Sequence, residues 1–209
     1  MTRIPDPAAH SAVSGLVHAR SASWIVTHAG PLWIFGYGSL MWNPGFAYVE
    51  WAPALIYGYH RALCISSDRW RGTPQRPGLV LGLARGGACR GIAFMVAHED
   101  VKAALQNLWA REMRRHVYCP RLVRARLPSK EVRALAFIAD PHHYAYTDGL
   151  SVREIAARIA TCRGARGANL DYVERTVAHL RELGVRDQHL QGVLTSARAL
   201  ALRKARDGS

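Results

Sequence analysis

The stretch that decides the fold of this 209-residue chain, residues 33–46, reads WIFGYGSLMWNPGF. It begins as a short apolar run of the β type and breaks at Gly36 and Gly38, which flank Tyr37. Glycine lets the backbone turn sharply and lets a ligand approach exposed N–H groups, so this turn suits an anion or a developing oxyanion. A Gly-x-Gly pair is equally typical of a tight turn at the end of a buried strand. The glycine pair by itself therefore leaves both interpretations open.

Length and hydropathy indicate a globular protein with a sizeable core. Hydrophobic residues make up 49% of the chain, yet no apolar run approaches the roughly 18 residues of a membrane span. Residues 1–30 contain scattered polar residues and no continuous apolar region, so they do not resemble a signal peptide. We expect them to form an N-terminal extension, flexible or a short helix, ahead of one domain over residues 31–209.

The four cysteines argue against a metal or redox centre. They lie far apart and form no Cys-x-x-Cys motif. The ten histidines are also dispersed. The sequence therefore predicts reduced thiols, a cytoplasmic location, no metal site and no cofactor.

The formal net charge of +13 has two interpretations. A basic chain can bind nucleic acid through its phosphates, but we find no basic block interleaved with exposed aromatic residues. A positive field also attracts small anions. We therefore expect a small anionic substrate, with neither nucleic acid nor a membrane as partner, and leave the oligomeric state open.

The hydrophobic pattern changes along the chain from β-type runs to helical spacing. Early strands followed by later helices favour an α+β fold over a doubly wound sheet. The polar, turn-rich segment 69–78 suits a loop over a site. The predicted strands are Leu32–Phe35, Ala52–Tyr57, Ala62–Ser66, Leu79–Leu83, Gly91–Val96, Tyr118–Leu127 and Val132–Ile138.

Helix signals dominate the last third of the chain. Ser151 and Glu154 have the spacing of a capping box. Asn169 is predicted to cap a second helix that stops at Gly184, and Asp187 to open a third.

An earlier predicted helix places a carboxylate among apolar residues. Val101, Leu105, Leu108 and Glu112 follow one another at helical spacing, which puts Glu112 on the apolar face. Such a carboxylate lies at a frayed helix end, pairs with a neighbouring arginine, or faces a cavity. In a cavity, desolvation raises its pKa and prepares it for proton transfer.

The opening segment and a series of later motifs resemble the ChaC family of glutathione-specific γ-glutamylcyclotransferases. Each motif is weak alone, but together they follow the family's order and spacing from about Trp33 to about Leu194. Those after the opening segment are Gly58-Tyr59-His60-Arg61, Ser67, Arg71-Gly72-Thr73-Pro74, Pro77-Gly78-Leu79-Val80-Leu81, Cys89-Arg90-Gly91-Ile92-Ala93-Phe94, Arg111-Glu112-Met113, Tyr118 with Pro120, Tyr144 with Gly149-Leu150-Ser151, Gly164-x-x-Gly167-x-Asn169-x-x-Tyr172 and Leu183-Gly184-Val185-x-Asp187.

The resemblance implies a fold, a reaction and a set of site residues. The fold is the γ-glutamylcyclotransferase-like small mixed β-barrel with packed helices, and Glu112 is the catalytic carboxylate. The substrate α-amine attacks its own γ-carbonyl and releases 5-oxoproline, and cysteinylglycine when the substrate is glutathione. The predicted substrate-binding residues are Ile34, Phe35, Gly36, Tyr37, Gly38, Ser39, Leu40, Arg71 and Tyr144.

Several of these assignments have ordinary structural alternatives. Arg71 suits a carboxylate clamp but equally a solvent-facing loop, and Tyr144 suits a half-buried structural tyrosine. Ser39 lacks the Gly-x-Ser-x-Gly context of a nucleophile, so we assign it to substrate binding. At the level of the whole chain, the alternatives are a cyclotransferase for other γ-glutamyl amines or dipeptides and a basic binding protein without activity.

Overall fold

The computed structural model describes residues 30–207. The predicted N-terminal extension therefore lies almost entirely outside the described residues. None of the described helices combines the length and the apolar character needed to cross a membrane.

Strands dominate the first two thirds of the described chain and helices the rest. Two short 3₁₀ turns, Ser39–Met41 and His98–Asp100, accompany them. The elements are β1 (Leu32–Gly36), β2 (Glu50–Ser67), β3 (Gly78–Val96), α1 (Val101–Glu112), β4 (Tyr118–Arg126), β5 (Glu131–Ala139), α2 (Val152–Thr161), β6 (Arg163–Gly164), β7 (Gly167–Ala168), α3 (Asn169–Glu182) and α4 (Gln188–Asp207).

Five strands close into a small barrel in the order β1-β3-β2-β4-β5. Neighbours in this order are antiparallel, whereas β5 returns to β1 in parallel, with Ile34 opposite Leu135. The predicted α+β class and the small mixed barrel with packed helices are confirmed.

Two pairs of predicted strands are each one long strand. The expected breaks near Gly58 and Gly86 are wrong because β2 and β3 run through them as one hairpin. Tyr57 pairs with Ala88, and the register shifts between Tyr57 and Tyr59. A β-bulge therefore accommodates the glycines, and the hydrogen-bonded ladder continues beyond them. Gly58, at φ 82°, and Gly86, at φ 92°, occupy the left-handed region that favours glycine.

β1 lies between two hydrophobic clusters, which explains why all five of its residues are buried. Side chains alternate across a strand, so Ile34 packs with the apolar face of α1 and Phe35 with the cluster that includes α2, α3 and α4. Both side chains are completely inaccessible to solvent. The turn that follows β1 is thus attached to a strand that is buried along its whole length.

The starts of the late helices agree with the sequence in two cases out of three. The capping box of Ser151 is formed, and the Asp187 carboxylate accepts a hydrogen bond from the Leu190 amide at 3.0 Å. The prediction that Asn169 caps α3 is wrong, because Ala168 holds that position. The fully buried Asn169 amide instead bonds both backbone groups of Leu79, at 2.6 and 2.8 Å. The Asn169 side chain, which local sequence assigns to a helix cap, thus makes a tertiary contact with β3 instead.

Asn169→Ala should lower the free energy of unfolding by about 2 kcal/mol or more, because it strips partners from buried backbone groups of β3. Urea denaturation measures the loss. Asn107→Ala, at an exposed position on α1, is the control and should change stability by less than about 0.5 kcal/mol. Similar small losses in both variants would contradict the tertiary role of Asn169.

Candidate active site

A cavity of about 650 Å³ opens between the turn after β1, the loop after β2, the end of α1 and the face of α3. Glu112 lines it as the last residue of α1. Its side chain is 18% exposed, and its Oε1 lies 3.1 Å from Nε of Arg111. Burial raises the pKa of this carboxyl, while the Arg111 charge lowers it. The three surroundings that the sequence allows for Glu112, a helix end, an ion pair and a cavity, therefore occur together.

The turn after β1 forms one wall of the cavity through Tyr37, Gly38, Ser39 and Leu40. The Met41 amide donates to the Gly38 carbonyl at 2.9 Å and shapes the 3₁₀ turn. Gly38 does not adopt the positive φ that glycine allows, since its φ is −136°. A methyl group there would meet only ordinary contacts with a leucine of β3, so the space around this position admits a small side chain.

Arg61 is buried and holds this turn in place, although the sequence pointed to it only as part of the motif Gly58-Tyr59-His60-Arg61. The Arg61 side chain is 4% exposed, and its Nε donates to the Tyr37 carbonyl at 2.6 Å. One terminal nitrogen donates to the Arg90 carbonyl at 2.6 Å, and the other pairs with Asp187 at 3.1 Å. The sequence did offer one sign of this role. Arg61 directly precedes the apolar β-type run Ala62–Ser66, where a buried charge is unfavourable unless it has partners.

Arg111 links the turn to the carboxylate. Its terminal nitrogens donate to the Ser39 hydroxyl at 2.7 Å and to the Asn43 carbonyl at 2.6 Å, and its Nε faces Glu112. The Ser39 oxygen thus already accepts one hydrogen bond, while its hydroxyl proton remains a donor. A single guanidinium sets the relative positions of the turn and the carboxylate.

Three tyrosines wall the inner part of the cavity. The hydroxyl of Tyr37 donates to a backbone carbonyl of β5 at 2.9 Å, and that of Tyr118 donates to the Leu81 carbonyl at 3.0 Å. The hydroxyl of Tyr172 accepts from the Leu81 amide at 3.2 Å. Burial raises the pKa of all three, and the nearby Glu112 charge raises it further. The phenols therefore stay neutral beside the carboxylate.

The remaining predicted binding residues divide between the cavity and its surroundings. Arg71 lines the cavity, and one of its terminal nitrogens donates to the carbonyls of Arg166 and Ala168 at 2.6 and 3.2 Å. The Ile34 and Phe35 side chains are in the core and do not line it. Their part in binding stays a prediction.

Tyr144 lies outside the cavity lining. It is 78% exposed, which differs from the half-buried environment considered as its alternative. Its hydroxyl accepts a hydrogen bond from Arg115 at 2.6 Å, and the same guanidinium pairs with Asp68. Since Arg115 lines the cavity, Tyr144 touches the site through that arginine.

The charge of the cavity lining is strongly unbalanced. Among the described residues that line it, Glu112 is the one carboxylate. No group of metal-binding side chains occurs within residues 30–207. The sequence did not point to most of the arginines of the lining. Arg175 could have been found, because it lies three residues after the motif residue Tyr172 and therefore on the same face of a helix. The lining arginines are Arg71, Arg111, Arg114, Arg115, Arg166 and Arg175.

The chain matches one family of known proteins over most of its described length. Residues 32–200 match the model of a family described as ChaC-like protein. The chain belongs to the ChaC-like family. It is 37% identical over 154 residues to a glutathione-specific γ-glutamylcyclotransferase of Escherichia coli K12, covering 73% of this chain and 67% of that protein. It is 32% identical over 152 residues to a mouse protein named glutathione-specific γ-glutamylcyclotransferase 1, covering 69% and 68%.

A solved structure supports the fold independently of the sequence matches. The crystal structure of a γ-glutamyl cyclotransferase specific to glutathione from yeast matches with a TM-score of 0.75 at 20% identity. The match covers 82% of this chain and 97% of that one.

Arg111→Gln should raise the pKa of Glu112. Burial already raises it, and the substitution removes the positive charge that opposes this shift. A carboxyl ¹³C NMR titration of Glu112 measures the change directly. Arg114→Gln changes an exposed arginine nearby and is the control. It should leave the pKa of Glu112 unchanged. An unchanged or lowered pKa in Arg111→Gln would show that the ion pair is not what tunes Glu112.

Proposed function

We propose that this chain is a γ-glutamylcyclotransferase that cleaves glutathione to 5-oxoproline and cysteinylglycine, with Glu112 as the catalytic acid and base. The observation that carries the proposal is a partly buried carboxylate that faces a cavity otherwise rich in arginine. The names of the Escherichia coli and mouse relatives support the choice of substrate. Glutathione carries two carboxylates and one ammonium group, so it fits an arginine-rich lining with a single acid.

The reaction begins with activation of the substrate amine. The α-ammonium of the γ-glutamyl residue lies against Glu112, which removes a proton and leaves a neutral amine. A carboxyl whose pKa burial has raised is a stronger base for this step than an ordinary surface carboxylate. Because the amine and the γ-carbonyl belong to one residue, holding that residue folded gives the attack the advantage of proximity.

The turn after β1 is suited to receive the developing oxyanion. The first N–H groups of a helical turn have no partner within that turn. In the proposed site these are the backbone amides of Ser39 and Leu40, on the cavity wall. They donate to the carbonyl oxygen as it becomes tetrahedral, and such donors lower the barrier because they are positioned in advance.

Collapse of the tetrahedral intermediate releases the second product. The five-membered ring has already formed in the attack, and its nitrogen loses its second proton to solvent. As the bond to the departing nitrogen breaks, Glu112 returns its proton to that nitrogen, so cysteinylglycine leaves as a neutral amine. The carboxylate is thereby restored, and the scheme needs no metal or organic cofactor. We also propose the cytoplasm as the location, since the four cysteines are free thiols.

A second candidate is a cyclotransferase with a wider choice of γ-glutamyl amines. A relative from Arabidopsis thaliana, 31% identical over 68% of this chain, is named γ-glutamylcyclotransferase 2-3, without reference to glutathione. The two candidates share the cyclisation chemistry and differ in the group released. Parallel assays with glutathione and γ-glutamyl dipeptides, with 5-oxoproline measured by mass spectrometry, separate them.

Glu112→Gln should fold normally and lose roughly 10²–10⁴-fold in turnover of glutathione, because glutamine keeps the shape and loses the titrating proton. Glu131→Gln, at an exposed position on β5, is the matched control and should keep wild-type turnover. A Glu112→Gln variant within about twofold of wild type would remove Glu112 from the mechanism, since that lies far outside the range for acid–base catalysis.

A glutathione analogue without the α-amino group should not be cleaved, because the proposed nucleophile is missing. Incubation with the enzyme and chromatography of the products checks this expectation. Wild-type cleavage of glutathione in a parallel tube shows that the preparation is active. Release of cysteinylglycine from the des-amino analogue would indicate hydrolysis by water instead of cyclisation.

A further inference from the structure

Two arginines of the cavity lining, Arg166 and Arg175, have no acidic partner among the described residues, a feature that they share with Arg71 and Arg114. Arg166 lies in the turn between β6 and β7, and Arg175 lies on α3, so neither belongs to the element that carries Glu112. Among residues 30–207, neither side chain makes an ion pair or donates a side-chain hydrogen bond. By contrast, Arg111 and Arg115 each pair with a carboxylate.

Both arginines line the same cavity as Glu112 but from other elements, and the Arg71 guanidinium donates to the Arg166 carbonyl at 2.6 Å. Tyr172 also lines this cavity, and burial and the Glu112 charge raise its pKa to about 12 while Arg71 opposes the shift. The Arg71 guanidinium stacks over the Tyr172 ring at 5.1 Å. Arg175 and Arg166 in turn act on Arg71 and, after burial, lower its pKa. Arg71 therefore contacts both the Tyr172 ring and the turn that carries Arg166.

The turn that carries Arg166 is fixed before any ligand arrives. The amides of Ala165 and Arg166 donate to the carbonyls of Arg69 and Trp70 at 2.8 and 3.0 Å. The Arg166 guanidinium lies 4.3 Å from the centre of the Trp70 ring. Arg175 lies less than two turns along α3 from the buried Asn169 amide that attaches this helix to β3. Both guanidinium groups are thus attached to rigid elements, which reduces the entropy lost when they bind an anion.

We propose that Arg166 and Arg175 bind the carboxylate at the far end of the substrate, which is the glycine carboxylate of glutathione. The inference rests on the proposed function, because that function places the γ-carbonyl beside Glu112. The two residues that follow it extend up to about 7 Å, which carries the terminal carboxylate away from the catalytic end. Guanidinium groups pair with carboxylates through two parallel hydrogen bonds, and two unpaired arginines supply both the charge and the donors.

This assignment gives the pair a specificity role rather than a catalytic one. Substrates with a free carboxylate at that position gain binding energy, whereas γ-glutamyl amines or esters without it do not. The contribution falls as salt rises, because both guanidinium groups are exposed. It affects binding more than the chemical step, since the contact is remote from the reacting carbonyl.

The test compares glutathione with its glycine ethyl ester, in which that carboxylate is neutral. Arg166→Gln, Arg175→Gln and the double variant are measured with both ligands, and Arg181→Gln, an exposed position later on α3, is the control. We expect the double variant to raise KM for glutathione by about tenfold with kcat little changed. KM for the ester should match wild type, and the single variants should show smaller increases.

A binding measurement separates failure of this inference from failure of the proposed function. Calorimetry on the Glu112→Gln background gives Kd for both ligands without turnover. If wild type forms no 5-oxoproline from either compound, the proposed function fails. The Kd values alone then decide whether the two arginines bind the terminal carboxylate. Equal weakening for both ligands, no weakening, or no binding of glutathione would each overturn the assignment.

Discussion

The buried guanidinium of Arg61 is the contact on which the site depends. A charged group removed from water is strongly unfavourable unless paired and hydrogen-bonded, and here both conditions are met by Tyr37, Arg90 and Asp187. These partners come from the turn after β1, from β3 and from the segment before α4. One side chain therefore joins the barrel, the helices and the turn, and the wall opposite Glu112 has a fixed position.

The electrostatics of the cavity result from two opposing influences on one carboxylate. Burial raises the pKa of Glu112, and Arg111 lowers it without cancelling the shift. The remaining arginines surround the cavity and attract an anionic ligand without acting on Glu112 to a comparable degree. Neutral tyrosines lie close to the carboxylate and supply no countercharge. The protein thus combines a positive binding surface with a carboxyl group that remains able to exchange protons.

Local pattern predicted what depends on neighbours in sequence. Runs of β-type residues located every barrel strand, although two pairs of predicted strands each merge into one, because hydrogen bonding across the β2–β3 hairpin outweighs the local glycine signals. Helical spacing placed Glu112 on the buried face of α1. The cap assigned to Asn169 failed because the amide finds stronger partners across the fold than at its own helix end. At Gly38, likewise, the turn is shaped by the hydrogen bond from the Met41 amide and not by a positive φ.

The sequence by itself determined the α+β class, the family resemblance and the turn after β1, and it placed Glu112 on the apolar face of a helix. These follow from periodicity and from motifs within a short stretch of chain. Only the tertiary structure decided which groups surround that carboxylate. Arg61 lies far in sequence from Arg166 and Arg175, and the positions of all three depend on barrel closure and on the docking of α3 against β3. A charged side chain gains its function from the field and the partners around it, and both exist only once distant segments have packed together.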